Sequence, residues 1–312
     1  MEEAIKKYDL IIVGAGPAAY TAAIYAKRFN IDVLIIGESF GGLASEAHKV
    51  CNFPGRKDVP GFELMQDMYQ QVVDMEVEVL MDSVLDVKGK SGEFKVITQN
   101  EKEYFGKQVL LTIGTKRTHL KLDREDEFLG RGVSYCATCD AMFYKDKTAV
   151  VIGGGDSAHT ASLYLAEVAK KVYQIYRGPE LKGEPAWIDQ LMKNDKVTVI
   201  FNTNVVGLLG KDKLSGVRID RKHDGSDIIE TDGLFIEIGS QPGRSLSEIL
   251  GIKTDDKGYI KVDSAQRTNV SGVWAAGDIT TGSNNFRQII TACSEGAIAS
   301  EDIFKKIQRE RS

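Results

Sequence analysis

The order of apolar and polar residues repeats in two segments of this chain. Residues 8–39 read YDLIIVGAGPAAYTAAIYAKRFNIDVLIIGES, and residues 147–178 read KTAVVIGGGDSAHTASLYLAEVAKKVYQIYRG. Each segment has a short apolar run, a glycine-rich turn, a stretch with apolar residues at helical spacing and a second apolar run. The two segments align without a gap. The pattern therefore predicts two units of strand, turn, helix and strand.

The glycine-rich turns have the spacing of a pyrophosphate-binding turn. The first glycine permits a sharp bend, the second lets backbone N–H groups approach a phosphate, and a small third residue lets the helix pack on the strand. These positions are Gly14, Gly16 and Ala19 in the first unit, and Gly153, Gly155 and Ala158 in the second. A glycine-rich turn without a ligand is the alternative. Two such turns in register favour an α/β fold with two Rossmann-like, three-layer domains that bind dinucleotides.

The residues that end the second strands differ between the units. Glu38 ends this strand in the first unit, where an acid accepts hydrogen bonds from ribose hydroxyls. Arg177 has the equivalent place in the second unit, where a cation pairs with a ribose 2′-phosphate. The first unit is thus suited to FAD and the second to NADP(H). A solvated surface arginine is the alternative for Arg177.

Two further similarities extend this organisation. Residues 109–117, VLLTIGTKR, and residues 234–242, LFIEIGSQP, are both apolar strands that end in an Ile-Gly turn. Residues 272–279, GVWAAGDI, form another strand, after which Gly277 allows close approach and Asp278 can accept a hydrogen bond from a polyol. Residues 286–299 have helical spacing. A turn without a ligand is the alternative for the AAGD segment.

Composition and charge exclude several functions. Of the 312 residues, 42% are hydrophobic and 27% are charged, with 40 Lys and Arg against 45 Asp and Glu. A mildly acidic chain without a basic tract is unsuited to nucleic acid. No apolar stretch reaches the roughly 18 residues of a membrane span. The apolar start is broken by Gly14, Gly16 and Pro17, unlike a signal peptide. We therefore expect a soluble, cytoplasmic protein.

Two cysteines lie three positions apart, Cys136 and Cys139, in the segment SYCATCD. A zinc site needs two further ligands at suitable spacing, and the four histidines make no paired motif, so we expect no metal. Inert structural thiols remain an alternative. Redox use is favoured because Asp140 follows directly and can protonate a departing thiolate. We expect the isolated Cys51 and Cys293 to be buried, small apolar residues.

The motifs together resemble one family over essentially the whole chain. They are GAGPAAYTAAIYA, Gly41–Gly42, NFPG at 52–55, TIGT at 112–115, GRGVSYCATCD, VIGGGDSA, WAAGDI and FRQIITA at 286–292. The chain resembles the low-molecular-weight thioredoxin reductases, which are FAD-dependent pyridine nucleotide-disulfide oxidoreductases. The resemblance implies a homodimer and an FAD domain interrupted by a second domain. That inserted domain binds a pyridine nucleotide and carries the redox disulfide.

The resemblance also implies roles for individual residues. Cys136 attacks the disulfide of a thioredoxin-like partner, Cys139 faces the flavin, and Asp140 is the acid. Met142 and Phe143 fall on a hydrophobic partner pocket, and Arg131 on a basic contact. The positions that match FAD contacts are Gly14, Gly16, Pro17, Ala18, Ala19, Glu38, Gly41, Gly42, Asn52, Thr112, Gly114, Gly277, Asp278, Arg287, Gln288 and Ile289. The positions that match nucleotide contacts are Gly153, Gly155, Asp156, Ser157, Ala158, Arg177 and Lys182.

The chain departs from the family pattern at several positions. Leu43 replaces the usual Gln and Asp156 the usual Asn. The NADPH motif HRRxxxR reads YRGPELK at residues 176–182, which leaves Arg177 and Lys182. Lysine keeps the charge but not the bidentate fork of arginine. NADPH is the expected donor. Reduced ferredoxin or a reduced deazaflavin, which serve relatives lacking this motif, are the alternatives.

The sequence thus predicts an FAD domain of residues 1–116 and 247–312 and a nucleotide and disulfide domain of residues 117–246. FAD passes two electrons to the Cys136–Cys139 disulfide, which then reduces thioredoxin or a thioredoxin-like protein. An alternative of a different class is a redox-sensing or assembly protein whose flavin and cysteine pair bind partners without steady turnover.

Overall fold

The structure is a computed structural model that describes residues 6–243 and 245–311. The chain divides into two compact units. One unit ends at Lys116 and resumes at Gln241, and the other is Arg117–Ser240. In the described part, no helix is both long and apolar enough to cross a membrane.

The helices and strands follow the chain in three stretches. The first stretch contains β1 (Lys7–Val13), α1 (Pro17–Arg28), β2 (Val33–Gly37), α2 (Gly61–Asp74), β3 (Glu78–Met81), β4 (Val84–Lys90), β5 (Glu93–Thr98), β6 (Glu103–Leu111) and β7 (Thr115–Arg117). The second contains α3 (Glu125–Phe128), β8 (Val133–Ser134), α4 (Ala137–Asp140), β9 (Thr148–Ile152), α5 (Asp156–Val168), β10 (Lys171–Ile175), α6 (Pro185–Met192), β11 (Val197–Ile200), β12 (Val205–Gly210), β13 (Leu214–His223), β14 (Ser226–Glu230) and β15 (Gly233–Ile236). The third contains β16 (Ser240–Pro242), α7 (Ser245–Ile249), β17 (Val273–Ala275) and α8 (Ile289–Arg311).

The two repeated segments form the elements that their patterns predict. β1, α1 and β2 come from residues 8–39, and β9, α5 and β10 come from residues 147–178. In both units the two strands are parallel neighbours, with Leu10 opposite Val33 and Val172 opposite Ala149. The helix between them is the crossover that a parallel pair requires.

The first unit is built on a seven-stranded sheet. Its strand order is β3-β2-β1-β6-β5-β4, and β17 also pairs with β6. Strands β3, β2, β1, β6 and β17 pair in parallel, while β4 and β5 form an antiparallel extension. The strand β1 is buried on both faces: Leu10 and Ile12 pack with α1, α2 and α8, and Ile11 and Val13 pack on the opposite side. This explains the uninterrupted apolar run of β1.

The second unit has a five-stranded parallel sheet in the order β11-β10-β9-β15-β8. On one face, Val151 and Val172 pack with Ala158 and Leu165 of α5. On the other face, Val150 and Ile152 pack with a three-stranded antiparallel sheet, β12-β13-β14. The unit therefore has three layers, as predicted, although one outer layer is a sheet instead of helices.

Candidate active site

The first glycine turn is closed by the backbone of a neighbouring strand. Gly14 has φ +119°, and a Cβ atom there would overlap the carbonyl oxygen of Thr112. The Thr112 hydroxyl donates to the carbonyl of Val13 at 3.0 Å, which fixes the end of β1 beside β6. Only glycine satisfies both the positive φ and the close approach.

The second glycine of this turn faces open space. A Cβ atom at Gly16 would have only the Gly41 carbonyl oxygen within 4 Å, at 3.7 Å. Pro17 then begins α1, where a missing N–H costs nothing. Ala18 and Ala19, in the first turn of α1, are buried. The turn therefore leaves free the space that a pyrophosphate needs at the N-terminus of α1.

Gly41 and Gly42 lie beside this turn, as the family pattern implies. Both have positive φ, +67° and +56°. A Cβ atom at Gly42 would meet the Cα of Gly16 at 3.9 Å, and the Gly41 N–H points to the buried Tyr20 hydroxyl at 3.4 Å. Two glycine-containing backbone segments thus lie next to each other.

Glu38 lies at the surface after β2, where its carboxylate pairs with the Lys116 ammonium at 3.2 Å. Both side chains are more than half exposed. An exposed pair of this kind is worth about 1 kcal/mol or less. The carboxylate is therefore available to accept hydrogen bonds from a ribose.

The turn after β17 is brought against α1. Gly277 has φ +84°, and a Cβ atom there would lie 3.1 Å from the Cβ of Ala18. Asp278 is the next residue, and burial raises the pKa of its carboxyl, partly offset by the Arg287 guanidinium and reinforced by Glu295. Residues 259 positions apart in sequence, Ala18 and Gly277, thus border one site.

The segment before α8 completes this group of residues. Arg287 donates from Nε to the Asp278 carbonyl oxygen at 3.1 Å, and its guanidinium lies 3.7 Å above the Tyr259 ring. The Asn52 amide donates to Gln288 Oε1 at 3.0 Å, and α8 begins at Ile289. The predicted positions from NFPG, AAGD and FRQI are therefore neighbours in the fold. Gly114, with φ +56°, lies in the turn that follows β6.

Sequence reasoning missed Glu295, a buried acid on α8 that accepts hydrogen bonds from Gly277 N–H and the Thr280 hydroxyl. A charged residue within the run ITACSEGAIAS of small and apolar residues is the signal that points to it.

The second glycine turn repeats the geometry of the first. Gly153 has φ +148°, and a Cβ atom there would overlap the carbonyl oxygen of Glu237. Glu237 is the residue that aligns with Thr112 in the two Ile-Gly segments. A Cβ atom at Gly155 would meet nothing within 4 Å. This turn also leaves room for a pyrophosphate at the start of α5.

The residues that follow Gly155 have different surroundings. Asp156 accepts the Glu184 N–H at 2.7 Å, Ser157 is exposed and Ala158 is fully buried against the sheet. Asp156 thereby ties the start of α5 to the segment before α6. The Asp156 carboxylate therefore stabilises this turn, at a position where the family usually has an asparagine.

Residues 176–184 pack closely on the second turn. The Tyr176 ring lies in the place of a Cβ atom at both Gly154 and Gly178. Lys182 N–H donates to the Gly154 carbonyl at 2.7 Å, and the buried His159 donates from Nε2 to the Lys182 carbonyl at 2.8 Å.

The side chains of Arg177 and Lys182 are exposed on this segment. Glu180 and Glu184 lie in the same stretch, so its formal charges sum to zero. The segment therefore has a weaker positive field than three arginines would provide for a phosphate.

Cys136 and Cys139 form a disulfide with a Cα–Cα distance of 5.3 Å. Cys136 caps the short helix α4, and its sulfur accepts the Cys139 N–H at 3.1 Å. The buried Ser134 hydroxyl accepts the Cys136 N–H at 3.0 Å. In the reduced protein, a hydrogen bond from Cys139 N–H would favour the thiolate of Cys136.

The surroundings of the disulfide are partly exposed. Cys139 is exposed, while Cys136 and Asp140 are half-buried. Directly after α4, Met142 is 62% exposed and Phe143 is 71% exposed, and Arg131 is also exposed. Two large apolar side chains in water beside a dithiol are typical of a protein-docking surface.

The other two cysteines lie outside disulfides and differ from each other. Cys293 is buried on α8, as expected. The expectation that Cys51 is buried is wrong, since Cys51 is exposed. It precedes the surface turn 52–55, so no apolar layer covers it. Among the described residues, no three His, Cys, Asp or Glu side chains are grouped to hold a metal.

Fold and site together define a dinucleotide-dependent oxidoreductase with a redox dithiol. The family described as pyridine nucleotide-disulphide oxidoreductase matches residues 8–296, and the chain belongs to it. Membership makes the chain an FAD-dependent oxidoreductase and implies binding of FAD and NADPH, as predicted. The open sides of Gly16 and Gly155 fit the pyrophosphates of two such dinucleotides.

The relatives show to which group within this family the chain belongs. A thioredoxin reductase of Listeria monocytogenes is 37% identical over 307 residues, which cover 97% of this chain and 95% of the relative. The Lactococcus lactis thioredoxin reductase structure has a TM-score of 0.91 at 31% identity and covers 97% of this chain and 99% of its own. The T. acidophilum thioredoxin reductase structure has a TM-score of 0.90 at 37% identity and covers 96% of this chain and 99% of its own. Within the family, the chain belongs to the low-molecular-weight thioredoxin reductases, and the predicted resemblance and fold class are confirmed.

A further structural match bears on the electron donor. A ferredoxin-flavin thioredoxin reductase from Clostridium acetobutylicum has a TM-score of 0.54 at 30% identity and covers 98% of this chain and 100% of its own.

Proposed function

We propose that this chain reduces the disulfide of thioredoxin or a thioredoxin-like protein, through Cys136 and Cys139, with NADPH as the donor. The observation that carries the proposal is the position of the disulfide. It lies in the unit Arg117–Ser240, which also has the second glycine turn, and it is bordered by exposed Met142 and Phe143. FAD, when bound, supplies the two-electron chemistry that links donor and disulfide.

Residues 1–116 and 247–312 are the proposed FAD domain, and residues 117–246 are the proposed nucleotide and disulfide domain. The grooves at Gly16 and Gly42 hold the pyrophosphate, Glu38 the ribose of the adenosine, and Asp278 a hydroxyl of the polyol chain. The paired Asn52 and Gln288 border the same site. These assignments are supported by the way the fold brings three distant segments together.

The dithiol reaction follows from thiol–disulfide exchange. The Cys136 thiolate attacks one sulfur of the partner disulfide, a Cys136–partner bond forms, and the second partner sulfur leaves as a thiolate and takes a proton. The Cys139 thiolate then attacks Cys136 Sγ, which reforms the Cys136–Cys139 bond and releases the reduced partner. Asp140, half-buried beside Cys139, is the proposed proton donor to the departing sulfur.

The donor proposal rests on the second turn. Gly155 faces open space at the N-terminus of α5, where backbone N–H groups favour a phosphate. Arg177 follows β10, at the place where a cation pairs with a ribose 2′-phosphate. Lys182 adds a second exposed ammonium on the same segment.

Reduced ferredoxin is the second candidate donor, with a reduced deazaflavin as a related possibility. The second arginine of the NADPH motif has no equivalent in this segment, where Gly178 packs against the Tyr176 ring instead. A match to a reductase whose name includes ferredoxin and flavin adds support.

Stopped-flow reduction of the FAD-loaded protein tests the donors. NADPH, NADH and reduced ferredoxin are mixed separately with the oxidised protein, and bleaching of the flavin band is followed. We expect NADPH to be the fastest. Reduction by ferredoxin alone would instead establish the second candidate.

A coupled assay with thioredoxin tests turnover. Continuous disulfide reduction at a catalytic concentration of the protein is expected. A single turnover followed by a stable complex would identify a redox-sensing or assembly protein, the remaining alternative.

A homodimer and a cytoplasmic location belong to the same proposal. Exposed Tyr25 on α1 and exposed Ile290 and Ile298 on α8 support an interface on the first unit, because these two helices pack together. Cysteines outside disulfides suit a reducing compartment. Light scattering of the FAD-loaded protein measures the oligomeric state, and a monomer at micromolar concentration would contradict the dimer.

A further inference from the structure

Glu295 is an acidic residue buried under the turn that follows β17. It is 3% exposed, although it is charged and lies on α8 among small residues. Its Oε2 accepts the Gly277 N–H at 2.8 Å and the Thr280 hydroxyl at 2.9 Å. Burying a carboxylate is unfavourable unless strong hydrogen bonds satisfy it. Both of its hydrogen-bond donors belong to the turn 277–282, so the carboxylate stabilises that turn.

The rest of the turn wraps around this carboxylate. Gly282 N–H donates to the Thr280 hydroxyl oxygen at 3.0 Å, and a Cβ atom at Gly282 would overlap Glu295 Oε1. The Thr280 hydroxyl therefore links the carboxylate to the end of the turn. Replacing Glu295 by a residue without a side-chain acceptor removes the partner of the Gly277 N–H and leaves that buried donor unsatisfied.

Arg287 holds the turn from its other side. Its Nε donates to the Asp278 carbonyl oxygen at 3.1 Å, while the guanidinium stacks on Tyr259. The backbone is thus held on both sides of Asp278. Glu295 accepts the N–H of the preceding Gly277, and Arg287 donates to the carbonyl oxygen of Asp278 itself. The direction of the Asp278 side chain depends on both.

We propose that Glu295 is a positioning residue for the flavin, which orients the Gly277–Asp278 turn through its hydrogen bonds to Gly277 N–H and the Thr280 hydroxyl. This inference rests on the proposed placement of FAD at Asp278. It assigns a purpose to a buried charge that the dithiol reaction does not use.

The test is the affinity of the apoprotein for FAD, measured by the fluorescence of free FAD, together with the shape of the visible band of bound flavin. We expect Glu295→Ala to weaken FAD binding by about tenfold or more, since a charge-assisted hydrogen bond to the turn is lost. Glu295→Gln keeps an acceptor for Gly277 N–H and should stay within about threefold of the parent protein. Thr280→Val should weaken binding, with little further loss when it is combined with Glu295→Ala, because the two act as one unit.

Two controls separate the possible outcomes. Glu301→Ala removes an exposed acid of the same helix, which pairs with Lys305, and should leave FAD affinity unchanged. Asp278→Ala tests the placement of FAD itself. If Asp278→Ala has no effect, the FAD assignment is wrong at this turn, and the role of Glu295 fails with it.

If Asp278→Ala weakens binding while Glu295→Ala changes it less than about twofold, only the role of Glu295 is overturned. The same holds if Glu295→Ala lowers the stability of the apoprotein without changing FAD affinity or the flavin band. Should Glu295→Ala fail to fold, Thr280→Val decides: unchanged FAD affinity in that variant rejects the proposal.

Discussion

The ring of Tyr176 lies against the backbone of Gly178, in the space where a Cβ atom at position 178 would be. The same ring covers Gly154 of the second glycine turn. Residues 176 and 178 are therefore coupled: a side chain at 178 would require the Tyr176 ring to move. Gly178 has the place of the second of the two adjacent arginines in the NADPH motif.

Restoring the arginine should require both positions. Gly178→Arg alone is expected to destabilise the protein by about 1–3 kcal/mol through overpacking, with no gain in NADPH use. Tyr176→His with Gly178→Arg should lower the Michaelis constant for NADPH about tenfold, because a charged contact to the 2′-phosphate is added. Unfolding curves and steady-state kinetics check both.

Gly243→Ala is a suitable stability control, since its Cβ atom would meet nothing within 4 Å. An unimpaired Gly178→Arg single variant with improved NADPH kinetics would show that the ring does not restrict position 178.

Arg177 should distinguish NADPH from NADH. If its guanidinium binds the 2′-phosphate, Arg177→Ala should cost about 1.5–3 kcal/mol in NADPH binding, or roughly tenfold to a hundredfold in affinity. NADH kinetics should stay nearly unchanged, since NADH lacks that phosphate. Equal and small effects on the two nucleotides would argue against the assignment, and so would a parent protein that NADPH does not reduce.

Replacing Cys136 and replacing Cys139 should change the absorbance spectrum of the bound flavin in different ways. With Cys139 facing the flavin, the FAD-loaded Cys136→Ser protein should show a long-wavelength charge-transfer band, and the Cys139→Ser protein should not. Cys51→Ser is the matched control, because Cys51 is exposed and outside the disulfide. A band in Cys139→Ser alone would exchange the two roles.

Asp302 should make the stability of the first unit depend on acid. Burial alone would raise the pKa of its carboxyl, but hydrogen bonds from Arg267 Nε at 2.6 Å and Trp274 Nε1 at 3.0 Å outweigh burial and hold the pKa below its ordinary 3.8. Since the pKa is lower in the folded state, this stabilisation is present above about pH 3.8 and is lost as the pH falls through the folded value.

Urea unfolding as a function of pH measures this effect. Asp302→Asn should be less stable at neutral pH by about 1–3 kcal/mol, and its stability should fall less steeply below pH 3.8 than that of the parent protein. Parallel pH profiles for the two proteins would show that another group is responsible.

The fold class was accessible from sequence because its evidence is local and repeated. The apolar run of β1, the glycines after it and the helical spacing of α1 all lie within residues 8–39 and recur in residues 147–178. The three-stranded sheet β12-β13-β14 has no counterpart in the first repeat, so the repeat could not predict it.

The candidate site was accessible only in part. Family motifs identified Asn52 and Gln288, which the structure joins by a hydrogen bond. The bond from Glu295 to Gly277 depends on how α8 packs beneath the turn, and no local pattern encodes that contact. The exposure of Cys51 likewise depends on which segments pack over it and over the adjoining turn 52–55.

The contacts that close the two glycine turns restrict the residue type of the glycines more than that of the residues they contact. A side chain at Gly14 would first overlap the carbonyl oxygen of Thr112, and a side chain at Gly153 would first overlap the carbonyl oxygen of Glu237. Every residue has that oxygen, so the contact with the glycine does not itself select the side chain at positions 112 and 237, as a hydroxyl in one and a carboxylate in the other illustrate. The glycines have no such freedom. A saturation mutagenesis screen for folded protein should therefore accept more residue types at 112 and 237 than at 14 and 153, where almost none besides glycine should be accepted.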